Sequence, residues 1–344
     1  MVSQQQKWWF SGIALFACSI LFTAASDVST YGSTLVWPTP NTAFLNGEHP
    51  EHYLQPTSSG RLASADWGCT RNGGSRFHEG VDLKSVQRSP DGRSLDAIGS
   101  IAAGVVAHVS RTTQHSNYGK YVVISHVGQG LEWVSLYAHL EQIADSIRPG
   151  VRVRAGDVLG TMGNSSSNIP IPVANAHLHL EIGVRLNSKF DSWYALQGFE
   201  TRNWHGSWNG MNLLGLHPLE FFNYYLDHPG APFFAYFLTE PVSFECWIHF
   251  EKRPDFLERN PVFLRGQPAP AGPSWYRVGF TWYGMPVEWI PAEASTLDRR
   301  LDPDAVHVHQ LRHEKPCRNW IDESPAGLVP TSLLLRHIEL LKTH

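Results

Sequence analysis

Short apolar runs separated by turns dominate the chain between Gln55 and about Tyr225. The runs are rich in β-branched residues and too short for typical helices, which favours strands. They cover residues 104–109, 121–126, 131–137, 151–153, 158–162 and 177–182. Pro149 with Gly150, and Gly156 with Asp157, provide turn residues between them. The pattern predicts a mainly β fold with a small antiparallel β-sheet domain over residues 55–225.

The hydrophobic pattern changes on both sides of this predicted domain. Residues 26–54 are rich in Ser, Thr, Pro and Asn, which predicts an N-terminal arm or linker. Residues 185–216 carry many Trp, Asn and Gly and predict a long loop, and residues 217–222 can begin a short helix. A second, β-rich region of unknown role is predicted over 226–344. Its predicted elements are strands at 233–238, 244–250 and 275–283 and a helix at 332–341.

The first residues have the pattern of a targeting segment. Lys7 precedes an apolar stretch over 8–24, and small residues follow at Ala24, Ala25 and Ser26. The pattern predicts a signal peptide at 1–25, cleavage near Ala25, export to the periplasm, cell envelope or medium, and no membrane attachment afterwards. An uncleaved membrane anchor is the second interpretation. A lipoprotein modified at Cys18 is less favoured, because apolar residues continue after it.

Charge and cysteine content narrow the function classes. The formal net charge is −4, and no Lys/Arg cluster stands out, so a nucleic-acid partner is not expected. Oligomeric state is left open. If Cys18 leaves with the signal peptide, three cysteines remain in an oxidising compartment. We expect a disulfide between Cys246 and Cys317, with Cys69 as a buried free thiol.

Three segments carry residues suited to metal chemistry. His177, His179 and Glu181 alternate with apolar residues, so a strand would place them on one face. Gly80 permits a bend that brings His78 and Asp82 together. Two histidines and one aspartate match the three protein ligands of a catalytic zinc. Strand geometry alone does not say which histidine of the 177/179 pair would bind the metal.

The order of these motifs resembles the lysostaphin-type peptidases, the M23 or LytM family. The resemblance covers about half the chain, from residue 55 to 222, and includes supporting matches at 66–71, 118–126 and 153–164. It implies a Zn²⁺ ion bound by His78, Asp82 and His179, and catalytic roles for His139 and His177. It also implies a groove over one face of a sheet and short peptide bridges of peptidoglycan as substrate.

Some positions depart from the family pattern. Residues 168–176 replace the usual Gly-Pro stretch, Leu180 replaces a Phe, and 185–216 has no counterpart in the minimal domain. These departures put substrate preference in question. The ligand residues are retained, which argues against a non-catalytic cell-wall-binding activator on the same fold. A zinc peptidase acting on secreted proteins is the other alternative.

Several further residues permit two interpretations. Glu181 could orient a metal ligand or be an ordinary polar strand residue. Three histidines are expected to be structural or solvent-facing: His108, His115 and His126. A surface position is favoured over a second metal site for His307, His309, His313 and Cys317. Four tryptophans could form a sugar-stacking surface, although packing is commoner: Trp133, Trp193, Trp204 and Trp208.

Overall fold

The computed structural model describes residues 34–168, 170–267, 272–292, 301–312, 317–325 and 327–344. The predicted signal peptide at 1–25 and His313 lie outside these residues. Among the described helices, none combines the length and the apolar character needed to cross a membrane.

Antiparallel strands form most of the described structure, which confirms the predicted fold class. The strands are β1 (Gly68–Arg71), β2 (Arg76–His78), β3 (Val81–Lys84), β4 (Ala97–Gly99), β5 (Gly104–Ser110), β6 (Tyr121–Gly128), β7 (Leu131–Ala138), β8 (Leu140–Ile143), β9 (Arg152–Val153), β10 (Val158–Met162), β11 (His177–Arg185), β12 (Leu213–Leu216), β13 (Phe244–Phe250), β14 (Ser274–Phe280), β15 (Pro286–Pro291), β16 (His307–Leu311), β17 (Ile321–Ser324) and β18 (Gly327–Pro330). The α-helices are α1 (Phe190–Leu196), α2 (Pro218–Asp227), α3 (Phe234–Phe237), α4 (Asp255–Arg259) and α5 (Ser332–Lys342).

A central sheet with the order β12-β11-β7-β6-β5-β9 organises the first part of the chain, and β3 also pairs with β11. Both faces of its middle strands are covered, which explains their nearly continuous apolar runs. On one face Val122 and Ile124 enter the main core. On the other face Val123 and Leu136 pack with Leu213, which comes from the 185–216 segment. The strand β11, which carries the histidines, is itself buried along almost its whole length.

The prediction of a long loop over 185–216 was wrong. This segment contains α1 and β12, together with two short 3-10 turns. Phe190 and Trp193 are buried one helical turn apart, which fixes α1 on the core. The Asn212 side chain donates to the carbonyl oxygens of Asn187 and Ser207, at 2.7 Å each. The segment is therefore ordered by side-chain hydrogen bonds, which leave no periodic apolar pattern in the sequence.

A strand over 233–238 was also a wrong prediction, because residues Phe234–Phe237 form the helix α3. Tyr236 and Phe237 pack their rings near Phe221 of α2, at centroid distances of 5.4 and 6.2 Å. Packing among aromatic rings thus overrides the β propensity of the same residues. The predicted helices near 217 and over 332–341 are confirmed as α2 and α5.

The region after Tyr225 contains a sheet of order β15-β14-β13-β16. The described residues from 34 onwards form one compact unit, and core residues of this region join the same apolar cluster as those of the central sheet. The domain boundary near 225 remains a prediction. Residues of the predicted arm also contact the core region, since the Asn41 amide donates to the carbonyl oxygens of His52 and Lys84.

The predicted cysteine pairing was wrong. Cys69 of β1 is joined to Cys317, with a Cα–Cα distance of 5.6 Å, and Cys246 is the free, buried thiol. Cys246 lies within β13, between β14 and β16, and its side chain is fully enclosed by the core. The pairing arises because the segment after β16 returns to β1, a contact that cysteine counting cannot reveal.

Candidate metal centre and active site

The register of β11 brings the polar site residues together. His179 lies opposite Asp82 of β3 on one side and opposite Ala138 of β7 on the other. Cross-strand partners point to the same face of a sheet, so Asp82 and His179 are neighbours. His139 follows Ala138 directly and therefore enters the same region at the end of β7.

His78 reaches the site through the bend between β2 and β3. A Cβ atom on Gly80 would collide with the Leu180 carbonyl oxygen, so only glycine allows β11 to approach this closely. Gly80 was predicted to permit a bend between His78 and Asp82; the close approach of β11 is a separate reason for a glycine at this position.

Three potential ligand atoms converge at this point. His78 Nε2 lies 3.1 Å from His179 Nδ1 and 3.3 Å from Asp82 Oδ1, and His179 Nδ1 lies 3.0 Å from Asp82 Oδ1. Tetrahedral zinc with bonds of about 2.0–2.1 Å separates its ligand atoms by about 3.3 Å. The donor set and its spacing therefore fit one zinc ion, and all three residues are buried.

The hydrogen bonds of the two imidazoles fix the tautomers that a metal needs. His78 Nδ1 lies 2.8 Å from the Asp66 carbonyl oxygen and donates its proton there. His179 Nε2 lies 2.9 Å from Glu181 Oε1 and donates in the same way. Burial would lower the pKa of His179, but its hydrogen bonds to Asp82 and Glu181 raise it to about 9, so without a metal ion His179 Nδ1 donates to Asp82 Oδ1, and a bound ion would replace that proton. His78 Nε2 carries a lone pair that can bind the same ion. The contact with Glu181 is the orienting arrangement that was one of its two interpretations.

Arg71 holds the other oxygen of the aspartate. Its Nη2 donates to Asp82 Oδ2 at 2.6 Å, which leaves Oδ1 facing the histidines. The same nitrogen lies 2.7 Å from His78 Nε2. Because Nε2 has one lone pair, a bound metal ion and this guanidinium nitrogen exclude each other there. Sequence reasoning assigned Arg71 no role, although it lies in the 66–71 segment that supported the resemblance.

Tyr118 is a second contributor without a predicted role. Its hydroxyl donates to Glu181 Oε1 at 2.6 Å, so it completes a chain from Tyr118 through Glu181 to His179. Burial, followed by the nearby Glu181 charge, raises the pKa of Tyr118 well above its usual value. The hydroxyl therefore stays protonated and remains a donor.

His139 and His177 lie beside the predicted ligands. Their ring centroids are 4.8 Å apart, and the ring of His139 lies 5.8 Å from that of His179. Each Nδ1 faces a backbone carbonyl oxygen, that of Ser165 at 2.8 Å for His139 and that of Asn175 at 2.7 Å for His177. Both rings therefore keep an unprotonated Nε2.

The backbone of His139 is strained. Its φ of +60° lies in the left-handed region, which is unusual for a residue other than glycine. Such strain costs about 1–3 kcal/mol and is concentrated at functional sites. Hydrogen bonds from His139 N to the Tyr118 carbonyl and from Lys120 N to Ser165 Oγ help to maintain the conformation.

The charges at the site are set by burial and by mutual contact. Burial alone would raise the pKa of Asp82, but His177 and His78 outweigh it and hold that pKa well below its usual value. Burial lowers the pKa of His177, and burial with the neighbouring His177 lowers that of His139. Asp82 is therefore an anion and both flanking imidazoles are neutral near pH 7.

The three potential metal ligands, together with His139 and His177, line an open groove of about 550 Å³. Its walls include residues near Thr57, the Asn72 turn and the segment around Pro170 and Pro172. The last of these belongs to the 168–176 stretch that departs from the family pattern. The groove therefore connects the metal-ligand cluster with solvent.

The remaining histidines and cysteines do not form a second centre in the described residues, where the His78, Asp82 and His179 group is the one metal-type cluster found. Cys317 is in the disulfide. His126 is buried and bonded to the Ala103 carbonyl and Ser135 Oγ, which agrees with its predicted structural role. Trp133 and Trp193 are buried, so they cannot contribute to a sugar-stacking surface.

The fold and site define a β-sheet protein with a His/Asp/His metal-type cluster beside two further imidazoles. Residues 76–191 match the model of Peptidase family M23, which confirms the family resemblance predicted from the motifs. No curated protein matches the chain.

Three solved structures illustrate partial similarity. A zinc-containing peptidase from Vibrio cholerae shares 24% identity over 31% of this chain and 26% of its own, with a TM-score of 0.23. A mutant catalytic domain of the prophage-encoded M23 protein EnpA from Enterococcus faecalis shares 21% identity over 38% and 80%, with a TM-score of 0.27. The lysostaphin catalytic domain from Staphylococcus simulans shares 15% identity over 46% and 87%, with a TM-score of 0.27. The match to the Vibrio cholerae protein thus spans about a quarter of that protein's length.

Proposed function

We propose that this chain is a zinc endopeptidase that hydrolyses peptide cross-links of bacterial peptidoglycan after export to the cell envelope. The observation that carries the proposal is the convergence of His78, Asp82 and His179 in an open groove. The match of the surrounding segment to a peptidase family supports it. When bound, Zn²⁺ would polarise the scissile carbonyl and lower the pKa of a bound water.

The side chains of the site divide the remaining work. His78, Asp82 and His179 hold the ion, and Glu181 fixes the orientation of the His179 ring. His139 and His177 present neutral Nε2 atoms, because each Nδ1–H is fixed to a carbonyl oxygen. A neutral imidazole so placed can accept a proton from the attacking water and return it to the leaving amine.

The proposal is tested with purified protein and isolated cell-wall sacculi. We expect release of muropeptides with new amino termini, detected by mass spectrometry. A chelator should abolish this release and added Zn²⁺ should restore it, while the matched variant His139→Ala should stay inactive with zinc present.

Two other results would redirect the proposal. Intact sacculi together with cleavage of an unfolded protein substrate would favour a peptidase for secreted proteins. No cleavage of either substrate by the zinc-loaded protein would favour a non-catalytic wall-binding activator.

A further inference from the structure

A second cavity adjoins the metal groove. It has a volume of about 850 Å³ and shares Phe77, Glu79, Asn117 and Tyr118 with the groove lining. The two spaces therefore share a wall beside the strand that carries His78.

The inserted segment and the C-terminal helix supply much of the cavity wall. Trp204 comes from the 185–216 segment, which has no counterpart in the minimal family domain, and Leu333 and Leu340 come from the α5 region. The disulfide partner Cys317 directly precedes Arg318, another wall residue. Much of the cavity wall thus comes from parts of this chain that the family pattern leaves unexplained.

Positive charge is concentrated on this wall, although the whole chain has a net charge of −4. Glu79 is the one acidic residue in the described lining. Four arginines line the cavity, and within the described part of the chain none of them forms an ion pair. They are Arg76, Arg202, Arg318 and Arg336. We call this space the arginine cavity.

Two of these guanidinium groups are held in place by aromatic rings. The Arg202 guanidinium lies 4.3 Å from the centre of the Trp204 ring, and Trp204 stacks on His115 at 4.4 Å. The Arg318 guanidinium lies 4.5 Å from the Phe77 ring, and its Nε is buried with no hydrogen-bond partner. A guanidinium held this way loses less conformational entropy when it binds a ligand.

The chemistry of such a wall suits carboxylates. Arginine binds a carboxylate through two parallel hydrogen bonds, and these bonds are about twice as strong as neutral ones. A neutral glycine-rich peptide would leave the guanidinium groups without partners. A peptide that carries free carboxylates would instead pair with them.

We propose that the arginine cavity binds the free carboxylates of the peptide on one side of the cleaved bond. This inference rests on the proposed endopeptidase function and specifies its substrate as an acidic stem peptide.

The experiment measures binding, so it does not depend on turnover. The probes are a synthetic stem tetrapeptide with free carboxylates and the same peptide with those carboxylates amidated, titrated calorimetrically into the zinc-loaded mature protein. We expect the amidated peptide to bind at least tenfold more weakly. Arg202→Gln and Arg336→Gln should each weaken binding of the acidic peptide about tenfold, and change binding of the amidated peptide little.

Arg148→Gln is the matched control, because Arg148 is exposed and lies outside both cavity linings. Equal affinity for the two peptides, or an equal effect of the three substitutions, would overturn the inference. Carboxylate-dependent binding without any cleavage of sacculi would uphold the cavity assignment and contradict the endopeptidase function. Cleavage of sacculi without carboxylate-dependent binding would uphold the endopeptidase function and contradict the cavity assignment.

Discussion

At the scale of single residues, the five predicted site residues should separate into two groups. His78→Ala, Asp82→Ala and His179→Ala each remove one of three atoms that lie within 3.3 Å of each other, so we expect loss of both zinc and hydrolysis. His139→Ala and His177→Ala should keep near-stoichiometric zinc and lose hydrolysis by about 10²–10⁴-fold. Elemental analysis beside a hydrolysis assay measures both properties.

Two outcomes would contradict this division. Loss of zinc in His177→Ala with retention in His179→Ala would show that the functional order of the β11 histidines is reversed. Full activity in all five variants would remove the site assignment itself.

The residues of the candidate site could be predicted from the sequence, but the hydrogen bonds that hold them in place could not. The alternation on β11 identified a polar face, and the bend at Gly80 was expected from glycine chemistry. The bond between Tyr118 and Glu181 joins residues 63 positions apart, and that between Arg71 and Asp82 joins a residue of β1, which pairs with β2, to a residue of β3, which pairs with β11. Such contacts are set by strand order, which local patterns do not contain.

At the scale of elements, the approach of β3 to β11 depends on Gly80. The change Gly80→Ala places a methyl group against the Leu180 carbonyl oxygen, so the strands must separate. We expect a loss of about 3 kcal/mol in the free energy of unfolding and weaker zinc binding, because Asp82 and His179 face each other across this pair.

Gly128→Ala is the matched control for this change. Gly128 is the last residue of β6, and a Cβ atom there meets nothing within 4 Å. Denaturant unfolding and zinc titration of both variants provide the measurement. An unchanged zinc affinity in Gly80→Ala would show that the close approach is not required for the site.

The packing of Glu240, which follows α3, beside Glu220 of α2 should make stability depend on pH. Burial, with a contribution from Glu220, raises the pKa of Glu240 from 4.5 to about 7, despite the opposing effect of the Tyr283 and Tyr236 hydroxyls. A carboxyl whose pKa rises on folding stabilises the fold in its protonated form. This contribution is fully present below about pH 4.5 and is lost as the pH rises through 7. The loss should be roughly 2–3 kcal/mol.

Glu240→Gln tests this dependence, since the amide stays neutral at every pH. The variant should be more stable than the wild type at pH 8 and similar to it at pH 5, as measured by urea unfolding. The exposed Glu258 provides a control as Glu258→Gln. Parallel pH curves for wild type and Glu240→Gln would be evidence against the buried carboxyl.

Sequence patterns predicted elements well where strand periodicity dominates and poorly where aromatic packing dominates. The runs on β6, β7 and β10 mark their strands to within about two residues. The aromatic residues around α3 have strand propensity, yet their rings pack in a helix against α2. In 185–216 the asparagine hydrogen bonds supply the order, and no periodic signal accompanies them.

At the scale of the whole molecule, the Cys69–Cys317 disulfide links β1 to the far end of the chain across 248 residues. In the chain-entropy model, a loop of that length contributes on the order of 5 kcal/mol to stability. The bond also anchors β1, whose Gly68 pairs with His78. Reduction should therefore lower the free energy of unfolding and also weaken zinc binding through displacement of His78.

The measurement compares unfolding and zinc affinity with and without a reductant in the wild type and in two variants. Cys69→Ser/Cys317→Ser should behave like the reduced wild type under both conditions. Cys246→Ala is the matched control, because Cys246 is buried within β13 and takes no part in the bond, so it should respond to the reductant as the wild type does. Loss of the reductant response in Cys246→Ala would instead assign the bond to Cys246. Reduced stability with unchanged zinc affinity would show that the disulfide supports the fold without positioning His78.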